Sequence, residues 1–330
     1  MNQSPLFLTY YGDDFTGSTD VMEALHFHGV PTALFLEPPT PAALRDFRLK
    51  STGGPVEAVG VAGIGRSLSP AGMEAELPPL FERLSRLPAR FFHYKICSTF
   101  DSSPGAGNIG TATDLALRYF PSDCVPLIVG APVLKRYVLF GNLFARVGSE
   151  TFRLDRHPTM SKHPVTPMRE SDLRRHLAGQ TGRPVRLLDL FALEAPAEQR
   201  QARFEALTAG RTDTPFILFD TCHDQHLEAI GELLWGAGGQ DGQLLVGSSG
   251  AEYALMAHLR RTGRLGEPLP PRPPGPAGQL IAVAGSAAPA TRDQIRHALG
   301  RGFAGVAIEA ADLVDPANRA AVEERLYDEC

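Results

Sequence analysis

The sequence predicts an α/β fold: a large N-terminal domain on a parallel or mixed sheet with inserted β-hairpins, followed by a shorter, incomplete α/β segment. Three observations carry this reading. From Leu6 to Leu259, short apolar runs alternate with helical patterns, as in βαβ units around a parallel sheet. Between Tyr137 and Leu154 the alternation gives way to three short β-type runs joined by Gly-Asn and Gly-Ser, a hairpin signature. The stretch GRLGEPLPPRPPGPAG, residues 263–278, continues neither a helix nor a central strand and reads as a semi-rigid linker. The expected division is 1–262 for the large domain, 263–278 for the linker and 279–330 for the start of a second, shortened domain.

The opening unit sets the pattern. An apolar run from Leu6 ends in Asp13-Asp14, Thr16-Gly17-Ser18 come next, and Val21, Met22, Leu25 and His28 recur at helical spacing before Gly29 as a stop. Val30 to Leu36 reads as the next strand, and Thr40-Pro41 as a helix start. Val56 to Ile64 is an apolar strand ending at Gly65-Arg66-Ser67. A helix from Ser69-Pro70 to Leu87 is expected to be interrupted at Pro78-Pro79. Strand Phe91 to Ile96 leads to the polar loop 97–110 and a helix from Thr111 to Tyr119, and Val125 to Val129 is another buried strand. After the hairpins and the prolyl loop 156–169, helices from Ser171, Pro196, Gln225 and Ala251 alternate with strands Val185 to Leu190, Phe216 to Asp220 and Leu244 to Gly247. Beyond the linker, strands are expected at Leu280 to Ala284 and Val306 to Glu309, with helices from Ala290 and about Pro316.

Composition narrows the function classes. At 330 residues the chain suits two domains, and 43% hydrophobic with 21% charged residues describes an ordinary globular protein. A net charge of −5, with Lys50, Lys95, Lys135 and Lys162 as the only lysines and no basic run, gives no footprint for nucleic acid. No stretch has the apolar length of a membrane span, and Met1 to Pro5 lacks the charged start of a signal peptide. Cys97, Cys124, Cys222 and Cys330 are scattered as reduced thiols would be, so the expected compartment is the cytoplasm. Cys222, His223 and His226 invite a metal reading, but no second ligand pair stands at a recognisable spacing, and no metal site is assigned.

Two strand ends concentrate chemistry. Asp13 and Asp14 sit where a parallel sheet presents ligands to the N–H groups of the next helix. A turn needs one such carboxylate as a cap, which leaves the other to contact a ligand. The loop from Lys95 to Gly110 gathers Ser98, Thr99, Asn108 and three glycines before a helix, a composition that suits an anion. Lys95, late in an apolar strand, adds an ammonium fit for a carboxylate or phosphate. The long prolyl loop 156–169 is a further functional candidate.

Gly12-Asp13-Asp14-Phe15-Thr16-Gly17 with Asp20, Lys95-Ile96-Cys97-Ser98-Thr99 with Gly107-Asn108-Ile109-Gly110, and Ala284-Gly285-Ser286 with Pro289 to Ile295 resemble, in order, the motifs of the four-carbon acid sugar kinases. The Cys-Ser-Thr-Phe-Asp-Ser form of the second motif is similar to the branch acting on 3-oxo-tetronate or 3-oxo-isoapionate. Other members carry Asp-Ser-Thr-Leu-Arg-Gly there. The resemblance implies that the N-terminal α/β domain binds a small sugar acid and that a C-terminal domain binds ATP, with Mg2+ arriving on the nucleotide. It implies ATP-dependent phosphorylation of a hydroxyl. Asp14, with Asp13 as alternate, is then the catalytic candidate. Thr16, Gly17, Ser18, Arg66, Lys95, Ser98, Thr99 and Asn108 become substrate contacts, and Gly285 and Ser286 phosphate contacts. Two departures stand out: Gly285-Ser286-Ala287-Ala288 replaces the usual Gly-Ser-Cys-Ser, and the later Gly-Gly-x-Thr loop is missing from the shortened segment. The expected partners are the sugar acid and ATP, with a homodimer left open. The alternative is a non-catalytic sugar-acid binder. A Rossmann-type dehydrogenase is disfavoured, because Gly-x-Gly-x-x-Gly is missing and Asp13-Asp14 would repel a pyrophosphate.

Overall fold

The computed structural model describes residues 6–50, 52–208, 213–237, 242–265, 275–286 and 289–329. It divides into two compact units, Met1–Pro271 and Arg272–Cys330. Residues 266–274 of the expected linker and Ala287-Ala288 lie outside the described residues.

The first unit is built on β1 (Leu6–Gly12), β2 (Thr32–Phe35), β3 (Ala58–Ala62), β4 (Ala89–Lys95), β5 (Val125–Ile128), β9 (Val185–Leu188), β10 (Phe216–Phe219) and β11 (Gln243–Gly247). Their order in the sheet is β2-β3-β1-β4-β11-β5-β10-β9, and every pairing is parallel. Alternate residues feed two cores, one on each face. Tyr11, Val59, Val61, Phe92, Tyr94 and Val246 pack into one, and Leu8, Tyr10, Ala58, Phe91, Ile217 and Leu245 into the other. With both faces covered, the strands read as unbroken apolar runs, as parallel strands do.

The first core is closed by α3 (Pro70–Ser85) and α4 (Ile109–Ala116), the second by α1 (Phe15–Phe27), α8 (Asp224–Ala237) and α9 (Gly250–Arg261). Shorter connections carry α2 (Pro41–Asp46), α5 (Leu173–Ala178), α6 (Leu190–Glu194) and α7 (Ala197–Thr208). Helix α3 corrects the expected interruption at Pro78-Pro79, since it runs through both prolines. Met73, Leu77, Phe81 and Leu84 form a buried stripe at helical spacing on either side of them. Burial of that stripe, at roughly 1.5–3 kcal/mol per large apolar side chain, outweighs the lost backbone hydrogen bonds.

The inserted hairpins form a separate antiparallel sheet of β6 (Arg136–Leu139), β7 (Asn142–Val147) and β8 (Glu150–Arg153). Phe140 and Gly141 both turn left-handed, with φ of 50° and 80°. A phenylalanine tolerates this because the buried Asp220 carboxylate accepts its N–H at 2.7 Å and that of Gly141 at 2.9 Å.

The second unit contains α10 (Pro289–Gly300), α11 (Ala310–Val314) and α12 (Pro316–Glu329). The strands expected at Leu280 to Ala284 and Val306 to Glu309 are not formed among the described residues. A strand is defined by a partner, and neither run has one there: Leu280, Ile281 and Val283 are exposed, and Val322 is the one buried apolar side chain described in this unit.

Candidate functional site

Strands β1, β3 and β4 are neighbours, so the segments leaving their carboxyl ends converge. The backbone fastens them together: Asp13 N–H donates to Lys95 O at 2.9 Å, Arg66 N–H to Asp13 O at 2.9 Å, and Gly107 N–H to Leu68 O at 3.0 Å. Gly107 has φ of 60°, and a Cβ there would lie 2.8 Å from Arg66 O. Its glycine therefore lets the second loop close on the Arg66 turn.

Arg66 organises the acids. It donates through Nη2 to Asp13 Oδ1 at 2.6 Å, through Nε to Asp13 Oδ2 at 3.3 Å, and through Nη1 to Asp14 Oδ2 at 2.7 Å. One guanidinium thus neutralises two adjacent carboxylates with planar fork geometry, which a lysine could not do. Asp14 Oδ1 accepts the N–H of Gly17 at 2.7 Å and caps α1. Burial pushes Asp13 up to about 6, restrained by the charges of Arg66 and Lys95. Arg66 is held more firmly charged by the same acids, Asp13 foremost, although its own burial opposes this.

Lys95 reaches the cluster from β4. Its side chain is 2% exposed, and its ammonium lies 3.3 Å from Asp20 Oδ2, the one carboxylate within 4 Å of it among the described residues. Asp20 comes three residues after Gly17 on α1, so both present the same helix face. A Cβ on Gly17 would sit 2.5 Å from Asp14 Oδ1, 3.1 Å from Lys95 Nζ and 3.7 Å from Arg66 Nη2. The N–H groups of Phe15 and Thr16 find no acceptor among the described residues. Gly17 is itself buried: the Asp14 carboxylate, the Lys95 ammonium and the Arg66 guanidinium pack on the face where a side chain would stand, beside the unpaired N–H groups of the exposed first turn of α1.

The other candidates fall into three groups. Ser98 is half-buried on the second loop. Thr99 donates to Asp101 Oδ1 at 2.8 Å and contacts Cys97 Sγ at 2.9 Å, and burial pushes the Cys97 thiol up to about 11. The hydroxyl of Thr99 thus faces its own loop. Asn108 caps α4 through Thr111 N–H at 2.8 Å and donates to Pro104 O at 3.2 Å. Thr16 is exposed on the first turn of α1, whereas Ser18 is buried and donates to Asp14 O at 2.6 Å. Gly285 and Ser286 are exposed and lie outside any helix or strand of the second unit.

Two further places have local explanations. In the prolyl loop, His157 Nδ1 accepts the N–H groups of Thr159 and Met160, and His163 Nδ1 accepts that of Thr166, so both imidazoles cap backbone. Glu194, His223 and His226 place ligand atoms within 4.8 Å of one another. His226 Nδ1, however, accepts Cys222 N–H at 3.1 Å, so its Nε2 carries the proton and donates to Glu194 at 3.2 Å. That ring has no lone pair left for a cation while the Cys222 bond stands.

Sequence reasoning placed Asp20 and Gly107 in the family motifs, and Gly107 among three glycines of an anion-suited loop, but gave neither a site contact of its own; the further signal for Asp20 was its three-residue spacing from Gly17.

The family model for the sugar-binding N-terminal domain matches residues 8–255. Over 325 residues the sequence is 46% identical to a 3-oxo-isoapionate kinase of Paraburkholderia graminis, with 97% of this chain and 66% of that protein covered. This chain belongs to the four-carbon acid sugar kinase family. Within that family it is also 33% identical over 305 residues to a 3-oxo-tetronate kinase of Methylobacterium radiotolerans, covering 89% of this chain and 65% of that one. The chain therefore spans just under two thirds of the length of these curated relatives. Among solved structures, a Salmonella typhimurium LT2 protein superposes with a TM-score of 0.73 at 24% identity, over 98% of this chain and 71% of that one. A Bordetella bronchiseptica protein described as a citrate-bound, domain-swapped dimer gives 0.59 at 22%, over 98% and 72%. At these identities the likeness concerns the fold.

Proposed function

We propose that this chain is the acceptor-binding part of an ATP-dependent sugar-acid kinase, and that it holds a small 3-oxo sugar acid of the tetronate or isoapionate type at the start of α1. One observation carries the reading: a buried ammonium, an arginine fork on two carboxylates and free helix N–H groups converge on the first turn of α1, packed around the buried Gly17, at the carboxyl edge of the central strands. Lys95 and the remaining N–H donors of Arg66 take the ligand carboxylate, and Asp14 and Asp13 face its hydroxyls. Ser98 lines the second wall, while Thr99, bonded within its own loop, and Asn108, capping α4, hold that wall in shape. The catalytic role falls to Asp14, which is part-exposed whereas Asp13 is buried and fully engaged by Arg66. Arg66 Nη1 holds one oxygen of Asp14 in place at 2.7 Å, which positions the carboxylate beside the acceptor for the role of proton acceptor.

The nucleotide side does not fit in the same way. A Cβ on Gly285 would meet nothing within 4 Å, and Gly285 and Ser286 are exposed, so the described residues build no phosphate cradle. This same observation favours a second reading, a sugar-acid binder without phosphotransfer. A coupled assay of ADP release with 3-oxo sugar acids separates the two. Turnover supports the kinase; calorimetric binding of the acid without turnover or ATP binding supports the binder; no acid binding contradicts both.

A further inference from the structure

Of Asp13, Asp14 and Asp20, Asp20 alone retains a carboxylate oxygen with no protein partner among the described residues. Both oxygens of Asp13 accept from Arg66, and the oxygens of Asp14 accept from Gly17 N–H and Arg66. Asp20 Oδ2 sits 3.3 Å from Lys95 Nζ, its Oδ1 accepts nothing from the described residues, and its side chain is 25% exposed. Lys95 is in the complementary position: it carries three N–H donors and has Asp20 as the one described carboxylate within 4 Å while being 2% exposed. Burying an ammonium with so few partners is unfavourable unless something else takes its donors. Lys95 packs on the buried Gly17, where a Cβ would lie 3.1 Å from Nζ, and Asp20 stands one turn further along the same helix.

We propose that Asp20 and Lys95 act as a donor–acceptor pair that reads an α-hydroxy-carbonyl unit, a hydroxyl on the carbon next to a carboxylate or ketone. The inference rests on the sugar-acid reading above and narrows it. Lys95 donates to the carbonyl or carboxylate oxygen, and Asp20 Oδ1 accepts the neighbouring hydroxyl proton in a hydrogen bond. A lone cation would hold any anion; a carboxylate fixed through Oδ2 3.3 Å from it, with Oδ1 open, makes the hydroxyl obligatory, because an acid lacking it leaves Oδ1 desolvated and unpaired. Asp20 is therefore a specificity residue, and Asp14 stays with the part of the ligand beside Arg66.

The test is calorimetric titration of the full chain with 2,3,4-trihydroxybutanoate and with 3,4-dihydroxybutanoate, which lacks the hydroxyl next to the carboxylate. The trihydroxy acid is expected to bind at least about tenfold more tightly, a difference of about 1.4 kcal/mol. In Asp20→Asn the gap is expected to shrink to less than threefold. Equal binding of the two acids to the natural chain overturns the pair and leaves the sugar-acid reading standing. No binding of either acid overturns both. The comparison on the natural chain keeps the proposal falsifiable even where Asp20→Asn, by leaving Lys95 buried beside an amide, fails to fold.

Discussion

Gly17→Ala separates the stability of the fold from occupation of the site. The new methyl carbon would lie 2.5 Å from Asp14 Oδ1 and 3.1 Å from Lys95 Nζ, so it pushes the capping carboxylate off Gly17 N–H and crowds the ammonium. Losing an N-cap costs about 1 kcal/mol. Replacing a helical glycine by alanine returns about 1 kcal/mol, and Gly17 has no positive φ that would strain the newcomer. The two contributions oppose each other, so the thermal midpoint is expected to move by no more than a few degrees. Binding is not compensated, because the methyl displaces the Lys95 ammonium proposed to take the ligand carboxylate. Affinity for a four-carbon sugar acid is expected to fall at least about tenfold, or about 1.4 kcal/mol. Calorimetric unfolding and isothermal titration on the same preparation read the two quantities. Unchanged affinity in a folded Gly17→Ala chain refutes the placement of the ligand over α1.

Four other outcomes rest on the same geometry. Asp14→Asn keeps an equally good cap but loses the charge facing Arg66, so turnover of the kinase is expected to vanish with little change in the unfolding midpoint, and full turnover would remove Asp14 from catalysis. Because burial raises Asp13 to about 6, the folded chain keeps, between about pH 4 and pH 6, a proton that the unfolded chain has released. Its contribution is fully present below the unfolded value and is lost as pH rises through about 6, a fall on the order of 2 to 3 kcal/mol; denaturant unfolding should show this slope in the natural chain and a flatter one in Asp13→Asn. Gly107→Ala places a side chain at φ of 60° and 2.8 Å from Arg66 O, and is expected to destabilise by more than about 1 kcal/mol and to weaken sugar-acid binding. Phe81→Ala, in the stripe that carries α3 through its prolines, should cost about 3 to 5 kcal/mol in chemical unfolding.

The large domain was legible because its strands are buried on both faces and so announce themselves as apolar runs, with caps at Asp14, Thr40, Ser69 and Asn108 marking where helices begin. Periodicity also placed the hairpins; the structure sets the first turn at Phe140-Gly141, one residue before the Gly141-Asn142 pair that signals it. It failed at Pro78-Pro79, where local chemistry predicts a break and tertiary burial overrides it. It failed again at residues 280–284 and 306–309, since an apolar run specifies extended backbone but not a neighbour to pair with. At the site, Asp13, Asp14, Arg66 and Lys95 stood out as charges at strand ends, and the structure brings them together. What the sequence could not reveal was how their atoms are shared: that Arg66 engages both aspartates, that Ser18 turns inward, and that Asp20 carries the spare oxygen. Those depend on which loops touch, which is fixed by the β3-β1-β4 strand order and not by distance along the chain.

The central claim is that a small sugar acid binds at the first turn of α1, beside the buried Gly17 and between Lys95 and Arg66. A crystal structure of the chain with a bound four-carbon sugar acid tests it most directly. The account expects the ligand carboxylate within hydrogen-bond distance of Lys95 Nζ and Arg66, over the first turn of α1; a ligand seated elsewhere, with Lys95 still paired to Asp20 and nothing at that turn, contradicts it.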